Sequence, residues 1–207
     1  MPSTAFPYEL VLSIPTKDLY DAVGEWRGLR KETPDIWRTL ARKSSFRPRP
    51  ELESDNSTKQ LISYTLFVSE KRVFVMKRLS TQSESRLRGL LSIGVGGHMN
   101  PVAGIDWPGK RRITDVKEMV AANTAREIKE EVSLAGNPAF SILGFLNDDR
   151  NPVGQVHLGV VSVVTLPAPL LAVRETDKMM GAWVELAKLP VLNEFETWSS
   201  LVLESMI

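Results

Sequence analysis

Short apolar runs separated by polar turns fill most of the chain, and one long stretch changes to helical spacing. Within Tyr8 to Ile14, the residues Leu10, Val11, Leu12 and Ile14 predict a strand, and Leu19, Val23 and Trp26 then predict a helix over Asp18 to Trp26. Leu61 to Val68 and Arg72 to Leu79 read as two strands joined by a turn at Ser69, Glu70 and Lys71. Leu91-Ser92-Ile93 is a short strand running into Gly94-Val95-Gly96-Gly97-His98, where a glycine pair lets the backbone turn sharply or approach a ligand closely. A loop rich in Pro101, Gly104, Pro108 and Gly109 covers Asn100 to Arg112. Asp115 to Val132 is the long helix, with Ala121, Ala125, Ile128 and Val132 as its packing face. Phe140 to Leu146, Gln155 to Leu166 and Ala182 to Leu186 predict strands, and Asn193 to Met206 a closing amphipathic helix.

Strands with one central and one terminal helix indicate an α/β sandwich in which helices cover a mixed sheet. Arg47 to Lys59, with Pro48, Pro50, Ser54, Asp55, Asn56 and Ser57, has loop chemistry and is the expected seam. It divides an N-terminal extension, 1–58, packed on a core, 59–207. No repeat or low-complexity segment interrupts this organisation.

Composition narrows the chemistry. The 207 residues are 43% hydrophobic and 25% charged, as in an ordinary globular domain. The net charge of +1 argues against a dedicated nucleic-acid binder, which carries a strong basic excess. The absence of cysteine removes disulfides, thiolate zinc sites and cysteine nucleophiles. His98 and His157 alone cannot furnish a histidine-rich metal site. Met1 to Leu10 lacks a basic segment before an apolar run, and Val156 to Val173, broken by Pro167 and Pro169, reads as buried strands rather than a membrane span. A cytoplasmic protein is the expectation.

The long helix carries Glu127, Glu130 and Glu131 at i, i+3 and i+4, which sets three carboxylates on one face. Like charges at that spacing repel by a few tenths of a kcal/mol, roughly, per pair. Such a crowd is either a solvated acidic face or a set of hard oxygen ligands for a divalent cation. Glu118 follows Asp115 at the spacing of a capping box, so helix initiation is one account of it.

Glu118, seven intervening residues, then Arg126-Glu127-Ile128-Lys129-Glu130-Glu131 resembles the Nudix hydrolase box, G-x5-E-x7-R-E-U-x-E-E-x-G-U, with U an aliphatic residue. Leu134 fills the last aliphatic position. Arg112 stands where the first glycine is expected and Ser133 where the second is. The glycines at Gly96 and Gly97 lie upstream of a lengthened loop, His98 to Lys117, and an insertion there costs little closure entropy. The likeness extends to Asn147-Asp148-Asp149 and Val156-His157-Leu158-Gly159, which are similar to a subgroup of Nudix phosphoesterases without an assigned substrate.

The resemblance implies a Nudix-type α/β/α sandwich and hydrolysis of a small-molecule diphosphate with Mg2+ or Mn2+. It implies Glu127, Glu130 and Glu131 as metal ligands together with the Gly97 carbonyl, Arg126 as their orienting cation, and Glu118 as a supporting carboxylate. The general base is Glu127 or Glu175; Glu175 fits a solvated loop residue equally. Arg78, Gly96 and His98 are the expected substrate contacts, with a plain surface role the alternative for Lys77 and Arg78 and a structural one for both histidines. Trp107 either stacks on a base or packs its loop. The extension either covers the site or forms a homodimer interface. Two other activities fit a Nudix fold: a non-catalytic nucleotide-binding or regulatory module, which usually has an eroded box, and a prenyl diphosphate isomerase, which generally needs a cysteine.

Overall fold

The computed structural model describes residues 8–78, 89–103, 113–134, 136, 138–174, 176 and 179–206. Its elements, in order, are β1 (Leu10–Pro15), α1 (Thr16–Val23), β2 (Gly28–Arg30), α2 (Pro34–Lys43), β3 (Ser45–Pro48), α3 (Arg49–Leu52), β4 (Thr58–Ser69), β5 (Arg72–Arg78), β6 (Leu91–Ser92) and β7 (Gly94–Val95). There follow α4 (Ile113–Glu131), β8 (Val132–Ser133), β9 (Ser141–Asn147), α5 (Pro152–Gln155), β10 (His157–Thr165), β11 (Ala172–Val173), β12 (Met179–Glu185) and α6 (Thr197–Glu204).

Among the described residues ten strands join in one mixed sheet, whose main path is β12-β5-β4-β10-β9-β2. The centre is β4, almost wholly buried and paired in parallel with β10, His157 opposite Gln60 through Thr165 opposite Val68. A strand buried on both faces must be covered on both. On one face α1, α2 and α4 pack Leu19, Trp37, Leu40, Val116, Met119 and Val120 against Leu12, Ile14, Leu61, Phe145, Leu158 and Val160. On the other, Leu201, Val202 and Leu203 of α6 pack against Tyr64, Leu66, Val73 and Val161. The expected α/β/α layering is the observed one.

The N-terminal residues are part of this sheet. β1 pairs antiparallel with β4, Ser13 opposite Gln60, and with β3, while β2 pairs with β9, Gly28 opposite Asn147. The stretch read as a loop from Arg47 to Lys59 holds the end of β3 and the short α3. α2 was not expected, although its sequence is legible: Thr33 caps it by accepting from the Ile36 N–H, Pro34 occupies the first turn, and Ile36, Trp37, Leu40 and Ala41 are its buried stripe. Each such large side chain contributes about 1.5–3 kcal/mol by leaving water.

α4 differs from expectation at both ends. It is already helical at Ile113, so Asp115 sits in its first turn and does not cap it. Its buried stripe is Val116, Val120, Asn123, Glu127 and Ile128, whereas Ala125 faces solvent. A stripe containing an amide and a carboxylate is masked to any reading that sorts positions by hydrophobicity.

Candidate active site

Three glycines bring the strand before the long loop onto its neighbours at contact distance. A Cβ at Gly94 would lie 2.0 Å from the Tyr64 ring, and one at Gly96 would lie 1.6 Å from the Ser63 carbonyl oxygen. At Gly97 a Cβ would come within 2.6 Å of Glu127 Oε1. Only glycine permits these approaches. The third joins the glycine segment to α4, which begins at Ile113, four residues earlier than the loop end expected at Lys117. The Gly97 carbonyl accepts from the Ser63 N–H at 3.0 Å, which uses one of its two lone pairs.

Glu127 is only 6% exposed. Burial raises its pKa; the charges of Glu130 and Glu131 add to the rise, and Arg126 opposes it. Arg126 is the hub. Its guanidinium reaches Glu127 Oε1 at 2.7 Å, Glu130 Oε2 at 3.0 Å, the His98 carbonyl at 2.9 Å and Asn100 Oδ1 at 2.9 Å. One cation therefore answers to two carboxylates, and Glu131 lines the adjoining cleft with Ser92, Gly94, Val95, Gly96, Met76 and Met179. That cleft holds about 40 Å³. A larger hollow of about 570 Å³ lies beside α6 and is lined by Leu186, Leu189, Pro190, Val191, Leu192, Asn193, Leu203 and Met206; it has no charged lining residue.

Asn100 and Asn123 were missed in the sequence, and they fasten the loop to α4. The Asn100 N–H donates to Asn123 Oδ1 at 2.8 Å, and Asn123 Nδ2 donates back to the Asn100 carbonyl at 3.0 Å. Asn123 is 1% exposed, and its signal was an amide one turn before Glu127 on an otherwise apolar stripe.

His98 and His157 meet through their Nε2 atoms at 3.3 Å. His157 Nδ1 lies 2.7 Å from the Val153 carbonyl, which can only accept, so that nitrogen carries the proton. A neutral His157 then accepts at Nε2 and His98 donates. Burial depresses both rings, His98 to about 4, and keeps the pair neutral at pH 7.

Of the expected site residues, Gly96, Gly97, His98, Arg126, Glu127 and Glu130 come together and Glu131 flanks them. Glu118 does not join them: nine residues before Glu127, it sits about 13.5 Å along the axis and half a turn round, and is exposed. Glu175 and Trp107 fall outside the described residues, as does the side chain of Arg78, whose backbone ends β5 opposite Met179. Among the described residues no three Asp, Glu or His side chains converge tightly enough to hold an ion, because Glu127 and Glu130 are turned onto Arg126. No described helix is long and apolar enough to cross a membrane.

No family model matches the chain. Protein YmaB of Bacillus subtilis strain 168 is 32% identical over 206 residues, covering 95% of this chain and 96% of its own length. The crystal structure of Tm1382, assigned as a Nudix hydrolase, superposes with a TM-score of 0.71 at 26% identity, covering 96% of this chain and 98% of its own. With that shared fold, and with Glu127 of the Glu-x7-Arg-Glu pattern seated on Gly97, the chain belongs to the Nudix hydrolase family.

Proposed function

We propose that this protein is a divalent-cation-dependent pyrophosphohydrolase that cleaves the phosphoanhydride of a small-molecule diphosphate, a nucleoside diphosphate derivative being the leading class. The observation that carries the reading is on α4, where Glu127 is buried against Gly97 and shares the Arg126 guanidinium with Glu130.

The donor set fits Mg2+ or Mn2+ in chemistry. It offers hard carboxylate oxygens, among them those of Glu127, whose pKa burial raises, and a carbonyl with a spare lone pair. Glu127, Glu130, Glu131 and the Gly97 carbonyl would hold the ion. When bound, a divalent cation neutralises phosphate oxygens and acidifies a coordinated water. Arg126 keeps Glu127 and Glu130 oriented and ties them to the His98 carbonyl. Glu127, whose proton affinity is raised by burial, accepts the proton of the attacking water; the new P–O bond forms as the bond to the departing phosphate oxygen breaks. Gly96 and His98 on the glycine segment, and Arg78 in β5, are the substrate contacts of this reading. Residues 1–58 serve as an extension packed on the catalytic core, 59–207, and the protein works in the cytoplasm.

The test is phosphate release across a panel of diphosphate compounds with Mg2+, run beside Glu130→Gln. Turnover of one class that falls sharply in the variant is expected. Equal turnover in both proteins removes Glu130 from the site, and no turnover with any divalent cation overturns the hydrolase reading.

A further inference from the structure

A second buried polar cluster stands directly behind the glycine segment, on the α6 side of the sheet. Tyr64 OH lies 2.7 Å from Glu196 Oε1 and 2.7 Å from Ser199 Oγ, and the Ser199 hydroxyl also meets Glu196 Oε1. Ser199 Oγ accepts from the Ile93 N–H at 2.9 Å. Glu196 further accepts from the N–H groups of Trp198 and Ser199 at 2.8 Å each, capping α6, and its own N–H donates to the Leu91 carbonyl at 2.8 Å. Through these bonds the start of α6 is fastened to the backbone on both sides of Ser92. Tyr64 adds a steric stop, since its ring fills the space where a side chain at Gly94 would be.

We infer that Tyr64, Ser199 and Glu196 are positioning residues for the proposed hydrolysis, setting the path of Leu91 to Gly97 so that the Gly97 carbonyl and the Glu127 carboxylate meet in register. The inference rests on the reading of Glu127, Glu130 and Glu131 as the cation site. Its geometric basis is that β4 touches the segment at two adjacent residues: Tyr64 stops Gly94, while Ser63 leaves no room for a side chain at Gly96 and donates its N–H to the Gly97 carbonyl. Buried hydrogen bonds contribute direction more than net stability, so their presence here specifies a position. Glu196 meets four donors and is thus saturated as an anchor, not free as a base.

The experiment is Mn2+ titration followed by calorimetry, without substrate, on the full chain. Ser199→Ala removes the acceptor for Ile93, and Tyr64→Phe keeps the ring under Gly94 while deleting the hydroxyl. Each is expected to weaken Mn2+ binding about tenfold, the scale of lost support behind a metal ligand. Each should lower kcat with KM unchanged, and Ser199→Thr should restore both. Leu203→Ala, a cavity in the same helix, should lower the Tm and leave Mn2+ binding intact. Wild-type Mn2+ affinity in Ser199→Ala and Tyr64→Phe, or an equal loss in Leu203→Ala, overturns the positioning role. Mn2+ binding that Glu130→Gln leaves unchanged instead removes the cation site, and the positioning role falls with it.

Discussion

Two clusters of charge lie against the same face of the sheet, and they are built on opposite principles. Lys59, which is 0% exposed, has each of its donors met: its three N–H groups go to Asp149 Oδ1 at 2.6 Å, the Gly154 carbonyl at 2.9 Å and the Gln155 carbonyl at 3.2 Å. Asp149 in turn accepts from Tyr20 OH and Asn147 Nδ2, and buried Asp148 from Arg27 and Asn151. Burial lowers the Lys59 pKa while Asp149 restrains the fall, and the Lys59 ammonium and Tyr20 hydroxyl hold Asp149 low against its own burial. On α4 the Arg126 guanidinium is shared by Glu127 and Glu130, and burial raises the pKa of Glu127. The paired charges of the Lys59 cluster join elements, here α1, β4 and the turn before β10. A buried carboxylate with a raised pKa beside a cleft marks a functional site.

That contrast can be broken from either side. The largest effect is expected at Gly97→Ala, whose Cβ would lie within 2.6 Å of Glu127 Oε1 and displace a carboxylate held by Arg126. Turnover should fall about 100-fold, the usual consequence of an ångström-scale misplacement, with little change in thermal unfolding. A large drop in Tm at full turnover would mean that the contact is packing alone. Asp149→Ala should do the reverse. It leaves Lys59 as an uncompensated buried charge, which costs about 3 kcal/mol, read as a lower denaturation midpoint with turnover per folded molecule preserved.

The smallest effect separates the clusters by pH. His98 titrates near 4 in the folded chain and near its ordinary value of 6.5 when unfolded, so the unfolded state binds more protons between those values. His157 shifts in the same direction. Stability should therefore be fully present above pH 6.5 and decline as the pH falls toward 4. Tm against pH for the native chain and His98→Gln checks this. The slope between pH 6.5 and 4 should flatten in the variant, and an unchanged slope would place the acid sensitivity elsewhere.

The layered fold and its central elements were legible because their signals are local. The β4–β5 turn, β9, β10 and α4 all announce themselves within a short window of sequence. The sheet positions of β1 and β2 were not, since Ser13 opposite Gln60 and Gly28 opposite Asn147 are pairings over long sequence separations. At the candidate site, the spacing of Glu118, Arg126 and Glu127 pointed to α4, the helix whose Glu127 lies against Gly97. Helical arithmetic nonetheless set Glu127 beside Glu130 on an open face, whereas the fold seats it on the buried stripe beneath Gly97. Lys59 and Asn123 were invisible for a related reason: each is a buried polar residue whose partners include groups supplied by distant parts of the chain.

The most direct test of the central claim is turnover by Glu127→Gln with Mg2+, using the diphosphate compound that the native chain hydrolyses fastest. If the carboxylate serves the chemistry, hydrolysis should fall on the order of 1000-fold, while the Tm stays level or rises because a buried charge has been removed. Native turnover in that variant would contradict the account and reduce the α4 cluster to a second structural joint.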